Sequence, residues 1–458
     1  MVDAYCCEEG GVALLGKCIG LIIFLLYATS GLAATFFVRS GASGNGTSWA
    51  NAWAAPGSIS WGSVTAGSTI CVAGGTYSSG FHIDSSGASG NPITIQRATA
   101  SDSTCGSGTA GWSAGYDAQV VVNISGASDG INWNNADYVT VTGMVANGIK
   151  FNIADDDSTG VAFVQGVVSP RLLYVEISGP GGSTPVTMNF DNRGIDGTAW
   201  NGSTYENIDG FYSGYNNIHG FVNLMWLYNF SNAIIEHTRL ADAAAENSVT
   251  FHANVFAIAG CNNVTFRYNE ITNWQVEGIM MIFDSSSNWY IYGNLWHNAM
   301  GGTGGVGRIL EVQDGVKGPV YLYNNTIVNI AFSVRTANGG SYASGSEGRN
   351  NIYWNTSGPG LPSDDYDLAN FTLGESHGAD NASDPFVSIG SQNYQLSGST
   401  TAGQTLASPY NIDYLGNTRG GDGTWDRGTY EYCSGGCAAA IGTRNGGPIT
   451  RGGPRTRK

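Results

Sequence analysis

The sequence predicts an all-β parallel β-helix, a solenoid in which short strands stack coil upon coil. Three segments repeat between Asn262 and Asn329, and they read NNVTFRYNEITN, SNWYIYGNLWHN and GPVYLYNNTIVN. Each segment alternates apolar and polar residues over about six positions, which is the pattern of a half-buried strand. A strand-based repeat of roughly 20–50 residues is typical of solenoids.

Aligning the three segments assigns a structural role to each column. The predicted inward columns are Val264, Trp289 and Val320, and Phe266, Ile291 and Leu322. One coil cannot bury its own apolar face, so coils are expected to stack at about 4.8 Å. Two further columns hold only asparagine, which hydrogen-bonds turn backbone and tolerates left-handed geometry: Asn269, Asn294 and Asn325, and Asn273, Asn298 and Asn329. A β-sandwich or propeller also has short strands and turns, but the asparagine columns and the uneven repeat length favour the β-helix.

Composition narrows the class of protein. The chain has 458 residues, enough for one long domain or two ordinary ones, with 68 glycines, 12% charged residues and a net charge of −16. This composition suits a turn-rich extracellular β protein. The acidic balance argues against nucleic-acid partners and anionic membrane surfaces, and it mildly disfavours polyanionic substrates.

Three regions are predicted along the chain. Residues 1–33 resemble a signal peptide, because Lys17 precedes the apolar run Cys18–Tyr27 and small residues follow. The alternative is an uncleaved anchor. Residues 34–443 form the predicted β-helix domain with terminal caps, and residues 444–458 a basic, disordered tail. We expect no membrane span after signal removal, a secreted or cell-surface location, and a monomer.

Several motifs carry a family resemblance. They are GNGTSWANAW at Gly44–Trp53, VAGGTY at Val72–Tyr77, NPITI at Asn91–Ile95, LGNTR at Leu415–Arg419 and DRGTYEY at Asp426–Tyr432. In these motifs the chain resembles secreted right-handed parallel β-helix proteins of the pectate lyase-like superfamily. The resemblance implies a right-handed β-helix, and roughly ten to twelve coils fit the repeat length. It says little about reaction, because this superfamily mixes lyases, hydrolases, epimerases and proteins without known activity.

Export permits disulfides. Cys71 and Cys105 flank the first coils and are a possible pair, and Cys433 and Cys437 are placed to close a small loop. Cys261 is then left over, and we interpret it as a buried, small apolar residue.

Any site must lie on an outer face, since a β-helix has no interior cavity. Few charged residues occur in the chain, so their concentration on the coils around 236–335 is informative. The candidate catalytic residues are His252, Glu277, Arg308, Glu311 and Arg267. The candidate substrate-binding residues are Glu236, Tyr292, Tyr323, Arg335 and Trp274. The alternatives are an ordinary surface ion pair for Glu236 and Arg267 and a structural role for His252.

Two reaction types are open for these residues. A hydrolase needs two carboxylates, which Glu277 and Glu311 on successive coils are placed to supply. A lyase needs a cation to neutralise a uronate and a base to take a proton, for which the candidate arginines are Arg267, Arg308 and Arg335. After the signal peptide the only lysines are Lys150, Lys317 and Lys458, which argues against a lysine-based lyase mechanism.

Two further sequence features complete the prediction. Asp155, Asp156 and Asp157 offer oxygen ligands for Ca²⁺, although consecutive aspartates in a loop are also simply solvated. Aromatic residues such as Trp200, Tyr205 and Trp226 are suited to stack on sugar rings or to pack loops onto the coils. The sequence therefore predicts a secreted polysaccharide-active enzyme, a lyase or glycoside hydrolase. The alternative is a non-enzymatic surface, adhesive or matrix protein that binds glycans or partners.

Overall fold

The computed structural model describes residues 33–155, 157–181, 192–244, 253–300, 307–358 and 360–433. All of them fall within one compact unit. Residues 1–32 of the predicted signal peptide and the whole predicted tail lie outside these ranges, so the predicted domain boundaries stay predictions. None of the described segments forms an apolar helix of bilayer-spanning length.

Three long sheets contain nearly all the strands of the described residues, and every pairing within them is parallel. The main path of sheet 1 runs through Thr35–Val38, Thr69–Val72, Ile93–Arg97, Val139–Thr142, Arg171–Leu173, Tyr212–Gly214, Ile234–Glu236, Asn262–Arg267, Ser287–Tyr292, Val320–Tyr323, Glu347–Arg349 and Ser363–Asp365. Off this path sheet 1 also has Val167–Val168, Ile208–Asp209 and Phe230–Ser231.

The chain passes from sheet 1 to sheet 2 and then to sheet 3 before it returns. Sheet 2 consists of Gly75–Tyr77, Val120–Ile124, Ile149–Ile153, Val175–Ser178, Asn217–His219, Arg239–Ala243, Glu270–Trp274, Leu295–His297, Thr326–Val328, Ile352–Trp354 and Leu368–Ala369. Sheet 3 consists of Phe81–Ile83, Asp129–Trp133, Thr159–Phe163, Arg193–Gly197, Asn223–Tyr228, Phe256–Ala259, Glu277–Met281, Arg308–Val312 and Phe332–Thr336. This cyclic order with parallel pairing is the predicted parallel β-helix.

The remaining elements are short. Val316–Lys317 pairs with Ser341–Tyr342, and Phe386–Ser388 pairs with Asn393–Leu396 as an antiparallel hairpin. Single-turn 3₁₀ helices cover Pro56–Ser58, Trp61–Ser63 and Ala114–Asp117. The main path of sheet 1 contains twelve strands. The predicted coil number itself stays a prediction.

The register predicted for the repeat is confirmed. Val264 pairs with Trp289, which pairs with Val320 on the next coil. Phe266, Ile291 and Leu322 align in the same way, and all of these side chains are buried in one continuous apolar core. Burial of such ladders contributes about 25 cal/mol for each Å² of apolar surface removed from water, which makes stacking favourable.

An asparagine ladder closes the turn between sheets 1 and 2. The Asn269 backbone N–H donates to Asn294 Oδ1 at 2.9 Å, and Asn294 Nδ2 donates to Asn325 Oδ1 at 3.0 Å. The residue before each asparagine has a left-handed backbone, for example Tyr268 with φ 55° and Asn324 with φ 52°. The buried amide satisfies turn backbone that would otherwise lack a partner, so each coil is held to the next.

The structure confirms the predictions for three cysteines, Cys71, Cys105 and Cys261. Cys71 and Cys105 form a disulfide. Cys433 is disulfide-bonded, and its predicted partner Cys437 lies outside the described residues. Cys261 is free and buried, as predicted, and burial raises the pKa of its thiol to about 12, which keeps it unreactive near neutral pH.

Candidate functional site

Four of the predicted site residues form a connected polar network on sheet 1. Glu236, Arg267, Tyr292 and Tyr323 occupy one row across adjacent strands. The Arg267 guanidinium lies 2.6 Å from Glu236 and donates to the Tyr292 hydroxyl at 2.9 Å. Burial acts to raise the pKa of Glu236, but Arg267 and the Tyr212 hydroxyl together outweigh it and hold that pKa below its ordinary value.

The C-terminal arm, residues 400–433, covers this network. The ring of Tyr410 packs edge-on against Tyr292 and against Tyr323, with centroids 4.8 Å away in each case. Both of those tyrosines are buried. The sheet 1 network therefore joins the arm to the coils, and of its four side chains only Arg267, which is 26% exposed, keeps a substantial open surface.

The predicted cluster on sheet 3 is brought together on adjacent strands. Glu277 pairs in register with Arg308, and its Oε1 lies 2.7 Å from Arg308 Nη1. Glu311 Oε2 lies 3.3 Å from the same Nη1. The Glu277 and Glu311 side chains are only 2% and 3% exposed. Arg335 joins at the outside, 3.4 Å from Glu311 and 46% exposed.

Other predicted site residues lie elsewhere. His252 lies outside the described residues. Trp274 is buried in the core, and its indole N–H donates to the Arg308 carbonyl at 2.9 Å, so its ring presents no surface for stacking on a sugar.

The predicted calcium segment is described only in part. Asp155 accepts a hydrogen bond from the Gly126 backbone N–H at 2.5 Å, and Asp157 is exposed. Asp156 lies outside the described residues. Within the part of the chain that the structure describes, no group of three or more His, Cys, Asp or Glu residues is placed to hold a metal ion.

The outer face of sheet 3 also contains a cleft that no sequence pattern indicated. It has a volume of about 460 Å³ and is lined by Arg193, Thr198, Trp200, Tyr205, Trp226, Tyr228 and Phe283. Trp226 lies in the same register row as Ala257, Met280 and Glu311 on the following strands. Trp226 and Glu311 are three strands apart, or about 14 Å at the ordinary strand spacing. The cleft and the carboxylate cluster therefore share one face.

The floor of the cleft consists of the Trp226 ring and the Arg193–Asp196 ion pair that packs against it. The Arg193 guanidinium lies over the Trp226 ring, 4.4 Å from its centroid, and Arg193 Nη1 is 3.0 Å from Asp196. Asp196 also accepts from the Thr198 backbone N–H and hydroxyl at 3.0 and 2.7 Å. These contacts fix both charged groups and the indole plane.

Aromatic side chains line two sides of the cleft. Trp200 and Tyr205 face each other across a tight loop, and Tyr205 stacks on Tyr228 with centroids 3.9 Å apart. On the other side the Tyr228 hydroxyl donates to Asp284 at 2.5 Å, next to Phe283. Burial, together with this bond, raises the pKa of Tyr228 to about 12, so the hydroxyl stays a donor. The sequence showed the aromatic richness here, but Arg193 and Phe283 come from coils far apart in the chain.

The comparisons with known proteins support no functional identification. No protein-family model matches the sequence, and no curated protein matches it significantly. Among solved structures it is similar to the pectate lyase Pel9A, with 15% identity, TM-score 0.42, and coverage of 88% of this chain and 98% of that one. An alginate lyase from Paenibacillus sp. has 12% identity, TM-score 0.37, and coverage of 75% and 99%. A lacto-N-biosidase from Eubacterium ramulus has 9% identity, TM-score 0.35, and coverage of 76% and 68%.

These likenesses concern the fold alone, and the fold is established by the strand pairing described above. The strand pairing of the described residues makes the fold a parallel β-helix. Its activity has to be argued from its own side chains.

Proposed function

We propose that the protein is an extracellular glycoside hydrolase that cleaves a polysaccharide lying along the outer face of sheet 3. The observation that carries the proposal is the convergence of Glu277 and Glu311 on one nitrogen of Arg308. Their two contacting oxygens therefore lie no more than about 6 Å apart, which is below the roughly 6.5–9.5 Å of inverting glycosidases and compatible with the roughly 5–5.5 Å of retaining ones. Neighbouring parallel strands hold both backbones, so the spacing is fixed by the fold.

The two carboxyl groups have separate roles in such a reaction. One donates its proton to the leaving glycosidic oxygen while the other attacks the anomeric carbon and forms a glycosyl ester. Water then attacks that carbon, the first carboxylate accepts the proton of the water, and the ester bond breaks. Because both side chains are nearly closed off from solvent, the polymer must displace the exposed Arg335 side chain from Glu311 to reach them.

The lysines favour hydrolysis over elimination. Elimination from a uronate needs a base for the proton beside the carboxylate and a cation to stabilise the resulting charge. Lys150 is 2.8 Å from Glu176 on sheet 2, and Lys317 donates to the backbone carbonyls of Phe283 and Asp314. Both ammonium groups have structural partners, so neither is placed to act as a base on sheet 3.

A second candidate function is glycan binding without catalysis, as in a surface or adhesive protein. The burial and ion pairing of Glu277, Arg308 and Glu311 favour it, because a buried ion pair with good geometry also occurs as a purely structural feature. The aromatic cleft serves this function equally well.

A substrate screen separates the candidates. The purified protein is incubated with neutral and uronate polysaccharides, with and without Ca²⁺, and new reducing ends are measured together with the ultraviolet absorbance of unsaturated products. Hydrolysis predicts reducing ends without new absorbance. New absorbance would establish elimination instead, and its dependence on Ca²⁺ would implicate Asp155–Asp157. Binding of a polysaccharide with no product would favour the second candidate.

A further inference from the structure

We propose that the cleft beside Trp226 binds an uncharged sugar ring, so that the polymer on sheet 3 is a neutral glycan rather than a polyuronate. This inference deepens the proposed function and rests on it, since it assumes that a polysaccharide lies on this face. It assigns the cleft a ligand class that neither the fold nor the carboxylate cluster specifies.

Exposed aromatic rings surround the cleft. Trp200 is 50% exposed, Tyr205 39% and Phe283 60%. Large apolar side chains gathered around one depression commonly mark a binding site. A sugar ring has an apolar C–H face of matching size, and it stacks on such rings while its hydroxyl groups remain available for hydrogen bonds.

The position of the Phe283 side chain is set by its backbone turn, because the ring itself is exposed. Its backbone is left-handed, with φ 52°, which is strained for a bulky side chain. Its carbonyl accepts a hydrogen bond at 3.1 Å from the ammonium of Lys317, a buried residue. Left-handed non-glycine residues recur at the turns of the described coils, Tyr268 among them, so Phe283 follows the turn geometry of the fold. This turn places the exposed Phe283 ring at the cleft rim.

The charges of the cleft disfavour an anionic ligand. Arg193 is paired with Asp196, which cancels its charge, and Asp284 adds a carboxylate at the rim. Beside the cleft the Asp196 and Asp284 carboxylates thus accompany the Arg193 guanidinium and the Lys317 ammonium, in a chain whose net charge is −16. A uronate carboxylate placed here would meet cations that already have partners, so it would gain no new ion pair. Sugar hydroxyl groups can donate to Asp284 and exchange hydrogen bonds with Thr198 and Tyr228.

A packed apolar group lies between the cleft and the carboxylate cluster. Ala257, Met280 and Ile282 are buried and pack against Trp226 on the same face. Met280 pairs in register with Glu311. A polymer that lies along the helix axis from the cleft therefore crosses over this group before it reaches Glu311.

The test is a binding titration of the full-length protein followed by calorimetry and tryptophan fluorescence. The probes are cellohexaose, xylohexaose and mannohexaose as neutral ligands and hexagalacturonate as the anionic one. We expect at least one neutral probe to bind and hexagalacturonate not to bind. Trp200→Ala and Phe283→Gly should each weaken binding roughly 10-fold, the loss of one stacking contact. Leu415→Ala, which truncates an exposed side chain on the C-terminal arm, should bind as wild type.

Phe283→Gly separates binding from stability, because glycine adopts the left-handed backbone without strain. Its melting temperature should equal or exceed that of the wild type while its binding weakens by the same roughly 10-fold. Binding of hexagalacturonate alone would overturn the neutral-glycan inference and leave a polysaccharide function standing. Neutral binding that both cleft variants retain would overturn the cleft assignment. Failure of every probe to bind would overturn the neutral-glycan inference, and the substrate screen described above would then decide the proposed function separately.

Discussion

The asparagine ladder gives a sharp test of what holds the coils together. Asn294 accepts from the backbone N–H and from the side-chain amide of Asn269, at 2.9 and 3.0 Å. It donates to Asn325 at 3.0 Å and to the Phe266 carbonyl at 2.9 Å. Replacing it with alanine leaves the buried Asn269 N–H without this acceptor. An unsatisfied buried donor costs about 1–3 kcal/mol, and each further lost bond about 1 kcal/mol.

We therefore expect Asn294→Ala to lower the free energy of unfolding by about 3 kcal/mol. Urea unfolding followed by tryptophan fluorescence measures the change through the transition midpoint. The matched control is Asn217→Ala, because Asn217 lies half-buried on sheet 2 and its side chain accepts one bond from Arg239 at 3.2 Å. The control should change stability by no more than about 0.5 kcal/mol. Equal midpoints for the two variants would refute the ladder as a stabilising element.

Three further predictions concern pH, the disulfide and stereochemistry. Burial raises the pKa of Asp364 and of Glu431 to about 7, above the values of an unfolded chain, so folding favours their protonated forms. Their contribution is present at low pH and lost as the pH rises through about 7, so urea unfolding should show lower stability at about pH 8 than at about pH 5; an increase would contradict this. Replacing Cys71 and Cys105 by alanine opens a loop with a sequence separation of 34 residues. The chain-entropy relation predicts a loss of about 4 kcal/mol in unfolding free energy, and an unchanged midpoint would contradict it. Hydrolysis should retain the anomeric configuration because the two carboxylate oxygens are close, so the first product resolved by nuclear magnetic resonance should keep the substrate's anomeric form; an inverted product would contradict the assigned pair.

The repeat register could be predicted because it depends on local alternation. Between Asn262 and Asn329 the sheet 1 strands alternate apolar and polar residues and lead into an asparagine, so alignment gave the correct columns for Phe266 and Ile291. The meeting of Glu277 with Arg308 follows from the same regularity, since equivalent positions on successive coils pair directly. Where the repeat is regular, residues one repeat apart in the sequence lie side by side on adjacent strands.

The other features depend on contacts that alternation does not encode. Trp274 is inward because Asn273 has a left-handed backbone, φ 56°, which breaks the alternation within Glu270–Trp274. Tyr292 is covered by Tyr410, whose position is set by the fold of the C-terminal arm. The cleft needs Phe283 from a strained turn after its strand, and no repeat column contains that residue. Segments that depart from the repeat therefore decide which parts of the sheet surfaces are exposed and which are covered.

The central claim is that Glu277 and Glu311 carry out hydrolysis on sheet 3. Its most direct test is the hydrolysis rate of Glu277→Gln and Glu311→Gln on the polysaccharide that the wild type cleaves. Each variant leaves Arg308 beside the other carboxylate, so the buried guanidinium keeps a partner. Glu347→Gln is the control, because Glu347 pairs with Arg349 on sheet 1. The account predicts rates lowered at least about 100-fold in both site variants, with folded spectra and an unaffected control. Folded Glu277→Gln and Glu311→Gln proteins that hydrolyse at the wild-type rate would contradict it.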